Sequence, residues 1–234
     1  MSTFIDLTNQ LLRRLNEVEI ADADFASVRG VQATAKDAIR NSIAKINQAE
    51  YEWPFNAAEH TQVLAIGQEE YSWPQYFKTV DWNSFKLEKD DSLGITNTRL
   101  KVISRDQYYK ELRDQDDDAG SAGSGVPEYI FPAHGNGYGV SPSPDQAYTL
   151  KFRYYMNHSD MVAYTDTTRI PATYDNIIIE GALMQMYMFR DNMESAGISS
   201  QLFQQGVKEM QGILINQYEA IRDTRVLRRK VVSG

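Results

Sequence analysis

The chain contains no cysteine. That excludes a disulfide scaffold, a thiolate metal site and a cysteine nucleophile, and it is compatible with assembly in a reducing compartment. Histidine is almost as scarce: His60, His134 and His158 lie far apart in the sequence, so no helical metal-ligand pair exists. They read as ordinary surface or edge histidines. Long apolar runs are missing too. No stretch approaches the roughly 18 uninterrupted apolar residues of a membrane span. No basic region followed by an apolar run opens the chain, so neither a signal peptide nor a membrane partner is expected. Positive charge is in short supply: 24 basic against 32 acidic side chains leave a net charge of −8. That balance argues against sequence-reading DNA binding, which needs clustered Lys and Arg to neutralise phosphates.

What is present fits a globular protein. The length of 234 residues is enough for one or two domains with a real core, and 42% hydrophobic with 24% charged residues rules out wholesale disorder. Thr3 and Asp6 have the spacing of a capping box, and Phe4, Leu7, Leu11, Leu15 and Val18 follow at helical steps. A second helix runs from about Val31 to Tyr51. Val31, Ala35, Ala38, Ile39, Ser42, Ile46 and Ala49 form its apolar side, and Lys36, Arg40 and Lys45 its opposite face. Trp53-Pro54 ends it, because the residue before proline is pushed out of the helical region.

From Phe55 to about Ile170 the period changes to two, with turn residues between short runs. Thr61–Ile66, Tyr76–Trp82, Phe85–Leu87, Arg99–Ile103 and above all Tyr148–Tyr154 read as strands, and Ser104–Leu112 as a short helix among them. Residues 114–125 form an acidic, then Gly/Ser-rich stretch expected to be a flexible surface loop. Helical period returns after Pro171. Tyr174–Met193 is apolar nearly all round, Gly197 is expected to break it, and Ser199 or Ser200 to cap a last helix with Phe203, Val207, Met210, Leu214 and Ile221 on its core side. The fold class expected is α+β. Residues 1–55 and 172–234 form a four-helix bundle, and residues 56–171 an inserted antiparallel β-sandwich or barrel-like lobe.

Chemistry motifs fail one by one. Asp114, Asp116 and Asp118 match the start of a calcium loop, but Ala119 stands at its glycine position and Gly125 at its bidentate glutamate. Gly120 and Gly125 have phosphate-loop spacing, followed by Val126-Pro127 in place of Lys-Ser/Thr. Gly135-Asn136-Gly137-Tyr138-Gly139 reads as a hairpin or loop tip, and no G-x-S-x-G occurs. No catalytic residue, metal site or cofactor is expected. Met184, Met186, Met188 and Met193 read as core filling or as an adaptable docking face. Arg222, Arg225, Arg228, Arg229 and Lys230 crowd the C-terminal end of an otherwise acidic chain. They complement a helix dipole or dock against an acidic partner. Fourteen tyrosines suit either an interface or an ordinary sheet.

A series of landmarks spans roughly Leu7 to Met210. Trp53-Pro54-Phe55 closes the second helix, Asp81-Trp82-Asn83-Ser84 follows a strand, and Arg105-Asp106-Gln107-Tyr108 opens the mid-chain helix. Pro144-Asp145-Gln146-Ala147-Tyr148 leads into the strand ending at Tyr154-Tyr155. Ile170-Pro171 precedes the helix with Glu180-Gly181-Ala182-Leu183 and then Arg190-Asp191. In order and spacing these resemble the head-to-tail adaptor family of short-tailed bacteriophages, the tail tubular protein A-like proteins. The resemblance implies a structural virion protein of the tail or neck, assembled in the host cytoplasm into a homo-oligomeric ring of twelve. Its partners would be the portal protein, a tail nozzle (tail tubular protein B-like) protein and a tail fibre or other appendage. Genomic DNA would pass through the channel without sequence-specific binding. The basic C-terminal cluster becomes the candidate portal-docking arm. The alternative is a non-catalytic β-domain module that binds carbohydrate or protein.

Overall fold

A computed structural model of the chain describes residues 1–89, 98–113, 124–158 and 160–215. The fold is mixed α+β. The described helices are α1 (Phe4–Arg14), α2 (Val31–Ala49), α3 (Arg105–Gln107), α4 (Asp175–Phe189) and α5 (Met193–Leu214). Two compact units divide the chain: Met1–Asn56 together with the chain from His158 onward, and Ala57–Asn157.

The helical unit starts with the capping box foreseen at Thr3. Thr3 Oγ1 accepts from the Asp6 amide at 3.3 Å, and Asp6 accepts from the Thr3 amide at 3.1 Å. Phe4, Leu7, Leu11 and Leu15 enter the core, but Val18 is exposed, because Asn16 turns left-handed (φ 54°) and ends the helical stripe. Asn9 holds the returning chain by exchanging hydrogen bonds with the backbone of Ile20 at 3.0 and 2.8 Å. In α2, Ala35, Ala38, Ile39, Ser42, Ile43 and Ile46 are buried. Trp53 closes the helix, fully buried and donating Nε1–H to the Ile46 carbonyl at 2.8 Å. Lys36 and Arg40, expected on a solvated face, are half-buried. Lys36 Nζ donates to the Phe25 carbonyl and Arg40 Nε to that of Met161, each at 2.7 Å. Burial pushes the Lys36 ammonium below its ordinary pKa, and the Arg40 charge adds to the shift.

Helix α4 packs against α1, α2 and α5, which is why its sequence is apolar on several sides. Ile178, Ile179, Ala182, Leu183, Met184 and Met186 are buried. The expected break at Gly197 is absent: Gly197 lies inside α5. The chain turns earlier, with Asp191 left-handed (φ 57°) and Asn192 capping α5 by accepting from the Ser195 amide at 3.1 Å. The Asn cap, worth about 1 kcal/mol, is comparable with what one helical glycine costs, and the core side chains of α5 hold the helix through it. Ser199, considered as a cap, is buried within the helix. Residues 160–170, which read as part of the β region, belong to the helical unit. Thr167 bridges to Thr3, the Phe4 amide donates to the Asp166 carbonyl at 2.8 Å, and Met161 and Ile170 join the core.

The β unit contains β1 (Ala57–Val63), β2 (Glu70–Ser72), β3 (Phe77–Val80), β4 (Lys86–Leu87) and β5 (Thr98–Arg99). They are followed by β6 (Lys101–Val102), β7 (Ser124–Gly125), β8 (Tyr129–Pro132), β9 (Gly137–Ser141), β10 (Ser143–Pro144) and β11 (Thr149–Met156). Strand β11 organises the first sheet. It pairs antiparallel with β1 from Ala57↔Tyr155 to Val63↔Thr149, and on its other edge with β3 and β4, while β5 extends β4. The second sheet runs β2-β9-β8-β6. The lobe is not wholly antiparallel: β6 pairs parallel with β8, and β7 with β10. Parallel neighbours need a crossover, and between β6 and β8 the chain passes through α3.

As the alternation in Tyr148–Tyr154 requires, Tyr148, Leu150, Phe152 and Tyr154 are buried. They share one cluster with Tyr71, Phe85, Ile130, Tyr138 and Val140 from both sheets. Of the segment read as a tip, Gly135 (left-handed, φ 75°) and Asn136 lie in the β8–β9 hairpin turn, while Gly137, Tyr138 and Gly139 are paired within β9. Gly139 is demanded by packing, since a Cβ there would stand 2.3 Å from the Phe131 ring.

Candidate functional site

Among the described residues no group of three or more His, Asp or Glu is placed to hold a metal ion. His60 lies on β1 with its ring 5.3 Å from that of Phe152, His134 is exposed at the β8–β9 turn, and His158 faces Asp160 at 3.9 Å. Asp114, Asp116, Asp118 and Gly120 lie outside the described residues, whereas Gly125 belongs to β7. The portal-docking candidates Arg222, Arg225, Arg228, Arg229 and Lys230 also lie outside them. No described helix is long and apolar enough to cross a membrane.

The perturbed titratable groups have local causes. Burial raises Tyr71 and, further, Tyr138, whose rings stack at 5.7 Å in the β core. Burial and a hydrogen bond to Asp145 push Tyr148 up to about 12. Burial raises Asp175, against a hydrogen bond donated by Ser2 Oγ. The hydrogen bond to Glu88, at 2.6 Å, raises Lys151. Each follows from packing or a single partner, the structural explanation of perturbed values.

What the fold does present is apolar surface on the helical unit. Met188, Phe189, Met193, Ile198, Leu202 and Ile213 are each 49–67% exposed. Spacings of four and eleven residues put Ile198, Leu202 and Ile213 on one face of α5, spanning about 22 Å at 1.5 Å per residue, with the exposed Gln205–Glu209 pair between Leu202 and Ile213. That face is distinct from the buried one formed by Ala196, Ser199, Phe203, Val207 and Met210. Met188, Phe189 and Met193 flank the α4–α5 turn. The methionine cluster therefore divides: Met184 and Met186 fill the core, while Met188 and Met193 face outward. Helical spacing alone picks out the core stripe of α5 and leaves Ile198, Leu202 and Ile213 without an assigned role. Their shared offset from that stripe was the available signal.

The tyrosines divide, and Tyr51 is among the exposed ones. Tyr71, Tyr108, Tyr138, Tyr148 and Tyr154 are buried, and Tyr76 and Tyr164 are exposed.

Residues 2–229 match the model of the SU10 adaptor protein family. The match spans both units and extends through Arg222, Arg225, Arg228 and Arg229. No curated protein matches the chain significantly. A match over nearly the whole chain is decisive: the chain belongs to the SU10 adaptor protein family, whose members are structural adaptors of bacteriophages.

Proposed function

We propose that the chain is one subunit of a ring, twelve copies in all, that joins the portal of a short-tailed phage to its tail nozzle and surrounds part of the DNA path. In this reading α1, α2, α4 and α5 form a bundle that builds the ring, and the β unit is a sandwich-like lobe that carries tail fibres or another appendage. The observation that carries it is the apolar surface of α5 and the α4–α5 turn. Large apolar side chains gathered at exposed positions of α5 and the adjoining turn are the candidate contact surface, and an adaptor works by joining other proteins. Twelve copies at −8 each would carry roughly −96. A strongly acidic tube repels phosphates, so DNA would slide through without sticking.

The basic cluster Arg222, Arg225, Arg228, Arg229 and Lys230 supplies the arm that grips the portal. Deleting 222–234 is expected to weaken portal binding strongly, measured by co-sedimentation with purified portal. Undiminished binding would remove the arm from the proposal. The ring itself is tested by adding the full chain to portal and looking for a new ring by electron microscopy.

A further inference from the structure

Strand β1 stands at one end of the first sheet. Its register against β11 is unbroken, and it pairs Ala58, His60 and Gln62 with Tyr154, Phe152 and Leu150. The next residue, Leu64, donates its amide to the Tyr148 carbonyl at 2.8 Å. An antiparallel ladder alternates. Ala58, His60 and Gln62 therefore direct their backbone groups at β11, and Glu59, Thr61 and Val63 direct theirs away. The other edge of β11 keeps the same count, for the Arg153 carbonyl accepts there from the Asp81 amide at 3.1 Å and that of Thr149 from the Glu88 amide at 2.8 Å. Gln62 Nε2 takes the Val63 carbonyl at 2.8 Å. The N–H and C=O groups of Glu59 and Thr61, and the N–H of Val63, have no partner among the described residues. All three residues are exposed.

Long open edges are templates for pairing, and proteins blunt them with short strands, lysine, proline or bulges. The end strands of the second sheet follow that rule, with three residues in β2 and two in β6. Strand β1 runs for seven residues with no proline, lysine, glycine or register shift. We infer that β1 is a docking edge that takes an extended segment of a partner protein as an added strand. A row of alternate N–H and C=O groups is matched by an extended polypeptide, not by a helix or a nucleic acid. The side chains of β1 set the rest. On the core side Ala58, His60 and Gln62 are half-buried, and the His60 ring lies 5.3 Å from that of Phe152, so apolar residues at alternate positions of the added strand would extend the core. On the outer side the Glu59 side chain is 62% exposed and meets Lys86 loosely, at 3.9 Å. It calls for a lysine or arginine opposite. Strand β1 has neither, so the β1 of a second copy does not fit, whereas a segment alternating apolar with basic residues does. The inference rests on the adaptor reading only in expecting a partner protein.

Fluorescence anisotropy of the full chain tests it. The probe is a labelled peptide with the sequence of β11, Thr149–Met156, which alternates in the required way. The control peptide has the same residues reordered to remove the alternation. The probe is expected to bind saturably and the control not to bind. Thr61→Pro removes an outward N–H and leaves the β11 ladder whole, a place where an edge strand tolerates proline. It should weaken binding about tenfold or more, and Thr61→Ala, which keeps the N–H, should not. Circular dichroism checks that both variants are folded. N-methylation of alternate peptide amides needs no variant: it should abolish binding in one parity and spare it in the other. No saturable binding, equal binding of the control, or binding untouched by Thr61→Pro, as when the probe displaces β11, overturns the inference. Ring addition to portal is measured in parallel. A parent that leaves portal bare counts against the adaptor reading alone, because the peptide assay needs no portal.

Discussion

Ser42 and Gly181 meet where α2 crosses α4: a Cβ built on Gly181 would stand 2.3 Å from Ser42 Oγ. The same hydroxyl donates to the Ile178 carbonyl at 2.7 Å, one turn earlier on α4. On the other side of Gly181 the Phe203 ring of α5 would be 2.7 Å from that carbon. Three helices therefore converge on one missing side chain.

Gly181→Ala is accordingly expected to destabilise the helical unit, although alanine has the higher helix propensity. Overpacking of this kind costs about 1–3 kcal/mol, or about 2–4 °C in Tm for each kcal/mol in a chain of this size. Thermal unfolding followed by circular dichroism measures it. A variant as stable as the parent or more so would show that α2 and α5 can yield at this point.

Much of this architecture was open to reading from residue types. The Thr3 capping box and the alternation of Tyr148–Tyr154 are local features with local causes, and they stand where expected; α2 ends two residues before the expected Tyr51, with Glu50 already extended. Features decided by distant partners were not legible. Gly197 breaks a helix by propensity, yet it is carried inside α5 because Asn192 caps the helix upstream and Phe203, Val207 and Met210 hold it in the core. Lys36 and Arg40 look like a solvated face until the loop carbonyls of Phe25 and Met161 arrive to receive them. The outward apolar positions of α5 escape notice for a related reason: apolar residues are assigned inward unless the fold shows which face is already occupied.

In the β core, Tyr138 and Tyr71 predict opposite outcomes for one substitution. The Tyr138 hydroxyl is buried without a partner among the described residues, whereas that of Tyr71 donates to the Gln68 carbonyl at 2.9 Å and accepts from the Ala65 amide at 3.0 Å. Tyr138→Phe removes only an unsatisfied group and should be neutral or stabilising by up to about 1–2 kcal/mol. Tyr71→Phe should cost about 1 kcal/mol. Urea unfolding of both variants decides; a loss in Tyr138→Phe equal to that in Tyr71→Phe would contradict the assignment.

Asp175 gives a pH dependence with a definite sign. Its carboxyl is raised above the ordinary 3.8 by burial, so the folded state holds the proton more tightly than the unfolded chain. The stabilisation is complete below the unfolded value and is lost as pH rises through the folded one. Relative to the parent, Asp175→Asn should therefore gain more stability at pH 7 than at pH 4. Ser2→Ala, which removes a donor that favours the charged form, should move the parent's transition to higher pH. Tm measured across that range checks both, and an Asn variant with an unchanged pH slope would contradict the cause given.

The most direct test of the central claim is electron microscopy of purified portal mixed with the full chain, alongside the double variant Ile198→Glu/Leu202→Glu. Both side chains are about half exposed, so the variant should fold as the parent does, checked by circular dichroism. The account predicts that the parent adds a ring of twelve subunits to the portal and that the variant does not. A parent that leaves portal bare, or a variant that builds the same ring, would contradict it.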